Sequence, residues 1–280
     1  VTTTPAPAPT PAAPATLDPS EAADQRVTLA WAVKDALAVG RRNLIALFRV
    51  PTTLVFSTVQ PVIFVLMFRY VFGGAIHIPG YRYVDFLMAG IFVQTVTFGS
   101  VNTGVGLADD LRKGLIERFR SLPMARSAVL AGRTLADVVR NTFVVVLMVI
   151  VGFMVGFRVH TNILGFLAAV FVMLLFGFAM SWVMALIGLA TGSAEAAQAA
   201  SFPVMAVLVF ASDSFVSTRT MPGPLRAYAE HQPVSATVDA VRVLVNGGAT
   251  TSKVVAALAW SLGIVAVFAP LAVRRYRRAA

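Results

Sequence analysis

The sequence predicts an all-α polytopic membrane protein with six transmembrane helices. It adds an N-terminal amphipathic interfacial helix, a charged helix on the cytoplasmic side and an outer re-entrant helix pair. Three observations carry that prediction. Hydrophobic residues make up 58% of the 280 and charged residues only 13%, against about 25% charged in an ordinary soluble domain. Six apolar stretches approach the ~20 residues a helix needs to cross ~30 Å of hydrocarbon. Lys and Arg gather in the N-terminal arm, in the loop from Arg112 to Arg133 and in the tail from Arg274 to Arg278, the pattern that sets the orientation of a membrane protein.

Residues 1–26 are rich in Pro, Ala and Thr, with Asp18, Glu21 and Asp24 and no apolar run. Such a segment cannot bury a core and is expected to be a disordered cytoplasmic tail. No secretory signal is visible in it, so the first span is expected to act as an uncleaved insertion signal. Residues 27–50 mix Leu29, Trp31, Leu37, Leu44 and Phe48 with Lys34, Asp35, Arg41, Arg42 and Arg49. Charge interrupts too often for a span, and the segment reads as an amphipathic helix in the membrane interface.

The transmembrane body covers 51–280. Span one, about 52–72, carries Gln60-Pro61, where the missing backbone donor should kink the helix. Span two, about 84–106, contains Gln94, Asn102 and several glycines. Span three, about 137–157, has Arg140 and Asn141 near its start. Span four is about 162–190 and span five about 196–217, with Ser193 placed to cap the helix between them. Span six, about 254–273, is closed by four arginines. Placing both termini in the cytoplasm puts roughly twice as many Lys and Arg inside as outside, which supports a multi-pass plasma-membrane protein of that orientation.

Two segments are neither span nor simple loop. In Ala108–Leu122, Leu111, Leu115, Phe119 and Leu122 recur at helical spacing, Asp109 and Asp110 complement the helix dipole, and Pro123 stops the run. A short charged helix with one apolar face suits docking to a soluble partner, with Arg112, Arg118 and Arg120 meeting acidic residues; an ordinary interfacial helix is the alternative. In Met221–Gly247, Pro222, Pro224 and Pro233 divide the chain into two pieces. There Val234, Val238, Val241, Leu244 and Val245 form an apolar face, and Asp239 and Arg242 are spaced to pair.

Several chemistries are excluded. There is no cysteine, hence no disulfide or thiolate metal site. Lys34, Lys113 and Lys253 are the only lysines and none follows a glycine, so the chain has no phosphate-cradling loop. The three histidines are scattered and no metal is expected. The net charge of +10 adjoins apolar spans and reads as topology signal and lipid contact, not as nucleic-acid binding. Glu195 and Asp213 are the acidic residues nearest to membrane depth, and both fall at span ends. A secondary transporter is expected to carry deeper carboxylates. Energy supplied from outside this chain is therefore favoured over the alternatives, a self-contained secondary transporter or channel, or a membrane-anchored scaffold.

Four stretches resemble the permease subunit of ABC-2 type exporters, closest to the daunorubicin/doxorubicin-resistance group. They are 42–75, with its prolines and terminal Phe-Gly; 114–137, where Arg-x-Leu-Pro-Met at Arg120–Met124 is most specific; 210–233, with Ser-Phe-Val and Met-Pro; and 239–248, with Asp-Ala-x-Arg-x-Leu and a closing Gly. Ser217 departs from the pattern, where proline often follows Phe-Val. The resemblance implies ATP-driven export of hydrophobic or amphipathic compounds, whether drug, antibiotic or lipid. It implies a cytoplasmic nucleotide-binding ATPase subunit, with ATP and Mg on that partner and no cofactor on this chain. A second permease copy or paralogue, membrane lipids and a hydrophobic substrate complete the expected partners. The chain itself is then not an enzyme. By the same likeness Leu115, Glu117, Arg118, Phe119, Arg120, Leu122 and Pro123 lie in the region that couples to the ATPase. Gln60, Gln94, Phe98 and Asn102 are candidates for the substrate cavity, with bonding between packed helices as the competing role for the polar ones.

Overall fold

The computed structural model describes residues 51–73, 82–114 and 126–279; among them there are helices and turns but no strand. The expected N-terminal tail (1–26) and amphipathic helix (27–50) lie outside the described residues.

Helices occupy parts of all six apolar stretches. α1 (Pro51–Leu66) runs into a π-helical turn, Met67–Phe72. α2 (Tyr83–Gly99) and α3 (Val101–Arg112) share the second stretch, followed by α4 (Arg126–Met154), α5 (Ile163–Thr191) and α6 (Ala194–Phe210). Two shorter helices, α7 (Gly223–His231) and α8 (Pro233–Asn246), precede α9 (Thr251–Ala279). Among the described residues, four segments are long and apolar enough to cross a membrane: Tyr83–Arg112, Gly132–Met154, Ile163–Thr191 and Thr251–Tyr276. Thr58–Phe72 and Ala194–Phe210 are shorter apolar helices.

Local chemistry explains where α6 stops. The fifth apolar stretch runs to 217, but Ser212, Asp213 and Ser214 offer the backbone alternative partners there. Ser212 Oγ donates to the Val209 carbonyl, and the Thr218 amide donates to Asp213 Oδ1 at 3.0 Å. The turn before α6 is equally legible. Gly192 ends α5 in the left-handed region at φ 72°, where a Cβ would be strained. Ser193 then caps α6 by accepting the Ala196 amide at 3.2 Å.

α5 is the central post, touching α2, α3, α4, α6, α8 and α9. It is apolar all round, as a helix surrounded by others or by lipid must be. Small residues let neighbours approach it closely. A Cβ on Gly188 would strike the Gly104 backbone of α3, and one on Gly104 would strike the Met184 carbonyl of α5.

Contacts define two ends. At one, the connection end, Leu107, Trp182, Leu189, Ala272 and Tyr276 pack together, so α3, α5 and α9 finish side by side. At the opposite end α8 is wedged into the bundle, with Val234, Val238 and Val241 fully buried. Thr161 Oγ1 donates to the Leu244 carbonyl at 2.6 Å and the His160 amide to the Val245 carbonyl at 2.9 Å. The expected Asp239–Arg242 pair forms at 3.3 Å. Arg242 makes a stronger one, to Asp213 Oδ2 at 2.6 Å, while its guanidinium lies 3.7 Å from the centre of the Phe86 ring.

Candidate functional site

The second span is not one continuous helix. Thr95 and Thr97 turn their hydroxyls back onto the carbonyls of Ile91 and Val93, and Ser100 bonds the Thr97 carbonyl. The Ser100 amide is shared between the Val96 and Thr97 carbonyls, each at 3.2 Å. Such back-bonding tightens and bends a helix, and α2 passes into α3 at this residue.

A cleft of about 90 Å³ opens beside the break. Gln60 and Pro61 of α1 form one wall, Gln94, Phe98 and Asn102 of α2 and α3 the second, Arg140, Asn141 and Val144 of α4 the third. All four residues singled out in the sequence as cavity candidates thus line one space. Gln94 is buried, Phe98 partly buried, and Gln60 and Asn102 are exposed at the mouth.

The sequence reading missed what stands behind the cleft. Arg140, 7% exposed, pairs with Asp137 at 3.1 Å, donates to the Gly99 carbonyl at the helix break and reaches Asn141 Oδ1 at 3.5 Å. Thr103 donates its hydroxyl to the same Asp137 carboxylate. Glu195 and Asp213 were expected to be the acidic residues nearest to membrane depth; Asp137 is buried and falls near the start of the apolar segment Gly132–Met154. It is tolerated there because a guanidinium three residues on neutralises it. The i, i+3 spacing of Asp137 and Arg140 was the available signal. Among the side chains that line the cleft, Gln94 has a buried atom without a hydrogen-bond partner, Oε1.

The residues expected to couple to an ATPase, Leu115, Glu117, Arg118, Phe119, Arg120, Leu122 and Pro123, lie outside the described residues. The chain on either side of them is held together. Asp110 of α3 pairs with Arg133 of α4, Lys113 with Asp109 at 2.6 Å, and Arg112 reaches Glu195 of α6 at 3.5 Å.

At the opposite end a polar cleft of about 480 Å³ is bounded by Asp213, Arg226, Glu230, His231, Asp239 and Lys253. Its carboxylates are each paired: Asp213 with Arg242, Glu230 with Arg226 at 2.6 Å, Asp239 with Lys253 at 2.7 Å. Burial pushes the Asp213 carboxyl above the ordinary carboxylate range, and the Arg242 guanidinium pulls it back in part. Among the described residues no group of three or more His, Asp or Glu side chains is arranged to hold a metal ion.

The model of the ABC-2 type transporter family matches residues 35–245, which takes in the cleft, the helix break and α8. The chain belongs to that family. Among curated relatives of this ABC-2 permease is the daunorubicin resistance ABC transporter permease protein DrrB1 of Streptomyces coeruleorubidus. It is 38% identical over 91% of this chain and 90% of its own length. A probable doxorubicin resistance ABC transporter permease protein, DrrC of Mycobacterium tuberculosis, is 28% identical over 81% of this chain and 82% of its own. These relatives are named as permeases and as resistance proteins, the group that the four stretches resembled.

Proposed function

We propose that this ABC-2 permease is the membrane-spanning subunit of an ATP-driven exporter that carries hydrophobic or amphipathic compounds out of the cell. One observation carries the reading: the ligand cleft adjoins a break in the helix pair α2–α3, and the far end of α3 leads into the charged segment 115–123. Force applied to that segment by an ATPase is transmitted along α3 to Ser100, where Arg140 grips the Gly99 carbonyl. Tilting α3 there alters the spacing of Gln94 and Asn102, and so the cleft. The ion pairs Asp110–Arg133 and Arg112–Glu195 carry the same motion into α4 and α6.

The names of the relatives make daunorubicin and doxorubicin the first compounds to test. At about 90 Å³ the cleft is well below the ~300–1,000 Å³ of a site for a drug-sized ligand, so a second permease copy or paralogue completes the cavity. In this reading six helices cross the membrane, both termini are cytoplasmic, and ATP and Mg stay on the partner. Inverted vesicles containing the permease and its ATPase should accumulate daunorubicin only with ATP. Phe119→Asp and Arg118→Glu should abolish accumulation while leaving the permease in the membrane. Uptake driven by an ion gradient without an ATPase would instead mark a secondary transporter.

A further inference from the structure

We propose that the cleft selects an uncharged ligand face bearing both hydroxyl and carbonyl groups, read by carboxamides and not by charge. The proposal rests on the cleft being the ligand site of the exporter. Four primary amides, Gln60, Gln94, Asn102 and Asn141, line it, and each offers donors as well as an acceptor. No carboxylate is among its lining residues, so nothing there attracts a cation. The one cation, Arg140, is already held by Asp137, the Gly99 carbonyl and Asn141, so an anion would have to displace Asp137.

The Gln94 Oε1 atom decides what is needed. It is buried and lacks a donor, and a turn of the carboxamide toward the cleft would let a ligand hydroxyl or N–H supply one. Phe98 gives the cleft an aromatic face, against which a flat ring packs. The volume of about 90 Å³ admits a ring edge with its substituents, while Gln60 and Asn102 at the mouth meet the rest. A site built to bond a ligand hydroxyl discriminates against analogues that lack it far more strongly than an apolar pocket does.

The test uses the full chain reconstituted with its ATPase in lipid nanodiscs. Two radiolabelled probes are compared: daunorubicin, whose fused rings carry hydroxyls and carbonyls, and tetracene, an uncharged four-ring hydrocarbon with no hydrogen-bonding group. Gln94→Leu should weaken daunorubicin binding about tenfold, the worth of one buried hydrogen bond, and leave tetracene unchanged. Gln60→Leu, at an exposed position that the fold does not need, should lower daunorubicin binding about threefold with the same selectivity. Equal losses for both probes would mean the amides only shape the cleft, and no loss would mean they do not touch the ligand; either result overturns the proposal. ATP-driven daunorubicin accumulation by the unmutated complex is scored separately. Export with undiminished Gln94→Leu binding sinks the carboxamide proposal alone, whereas no daunorubicin binding or export sinks the export reading with it.

Discussion

Arg140 and Asp137 show how a charge is kept inside an apolar helix. Each side chain is about nine-tenths buried, and each depends on the other and on Thr103 and the Gly99 carbonyl. Removing one member of a buried pair strands the other, which typically costs ~3–5 kcal/mol, while replacing both with apolar residues can be nearly neutral. Arg140→Met or Asp137→Leu alone should therefore lower thermal stability in detergent sharply, and the double variant should melt closer to the unmutated protein than either single. Losses that simply add would show that the two side chains act independently.

Among elements, α8 is the one whose sequence understates its burial. It is only 14 residues long and starts at a proline, yet it is wedged between α5, α2 and α9. Its apolar face supplies the packing, and Arg242 supplies the lock, bonding Asp213 through its carboxylate and at 2.8 Å through its carbonyl. Arg242→Leu leaves Asp213 buried without a counter-charge. Amide hydrogen exchange across 233–246 should then rise by an order of magnitude or more, consistent with the ~3–5 kcal/mol cost of an orphaned buried charge. Exchange across α5, which packs on six neighbouring helices, should change little. α2 and α3 present the opposite case, a single apolar stretch that hydroxyl back-bonding at Thr95, Thr97 and Ser100 divides into two working parts.

At the scale of the molecule, the orientation drawn from Lys and Arg predicts on which side each end of the bundle lies. The chain has no cysteine, so single cysteines report position cleanly. Lys253→Cys, exposed at the opposite end, should react with a membrane-impermeant maleimide on intact cells. Lys113→Cys, exposed at the connection end, should react only after permeabilisation. Reaction of Lys113→Cys on intact cells would invert the topology and remove the ATPase from reach of segment 115–123.

The sequence by itself determined the membrane class, the helical body, the Ser193 cap and the Asp239–Arg242 pair, and its four motifs resembled the permease family. The first four follow from composition, from helical period and from short-range spacing, all of which are local. Tertiary structure alone decided that Asp137 lies buried against Arg140 and Thr103 and that α8 is core. It also decided that Gly104 meets Gly188. The physical reason is common to all three: each depends on which distant backbone or side chain arrives beside the residue, and neither hydropathy nor period carries that information.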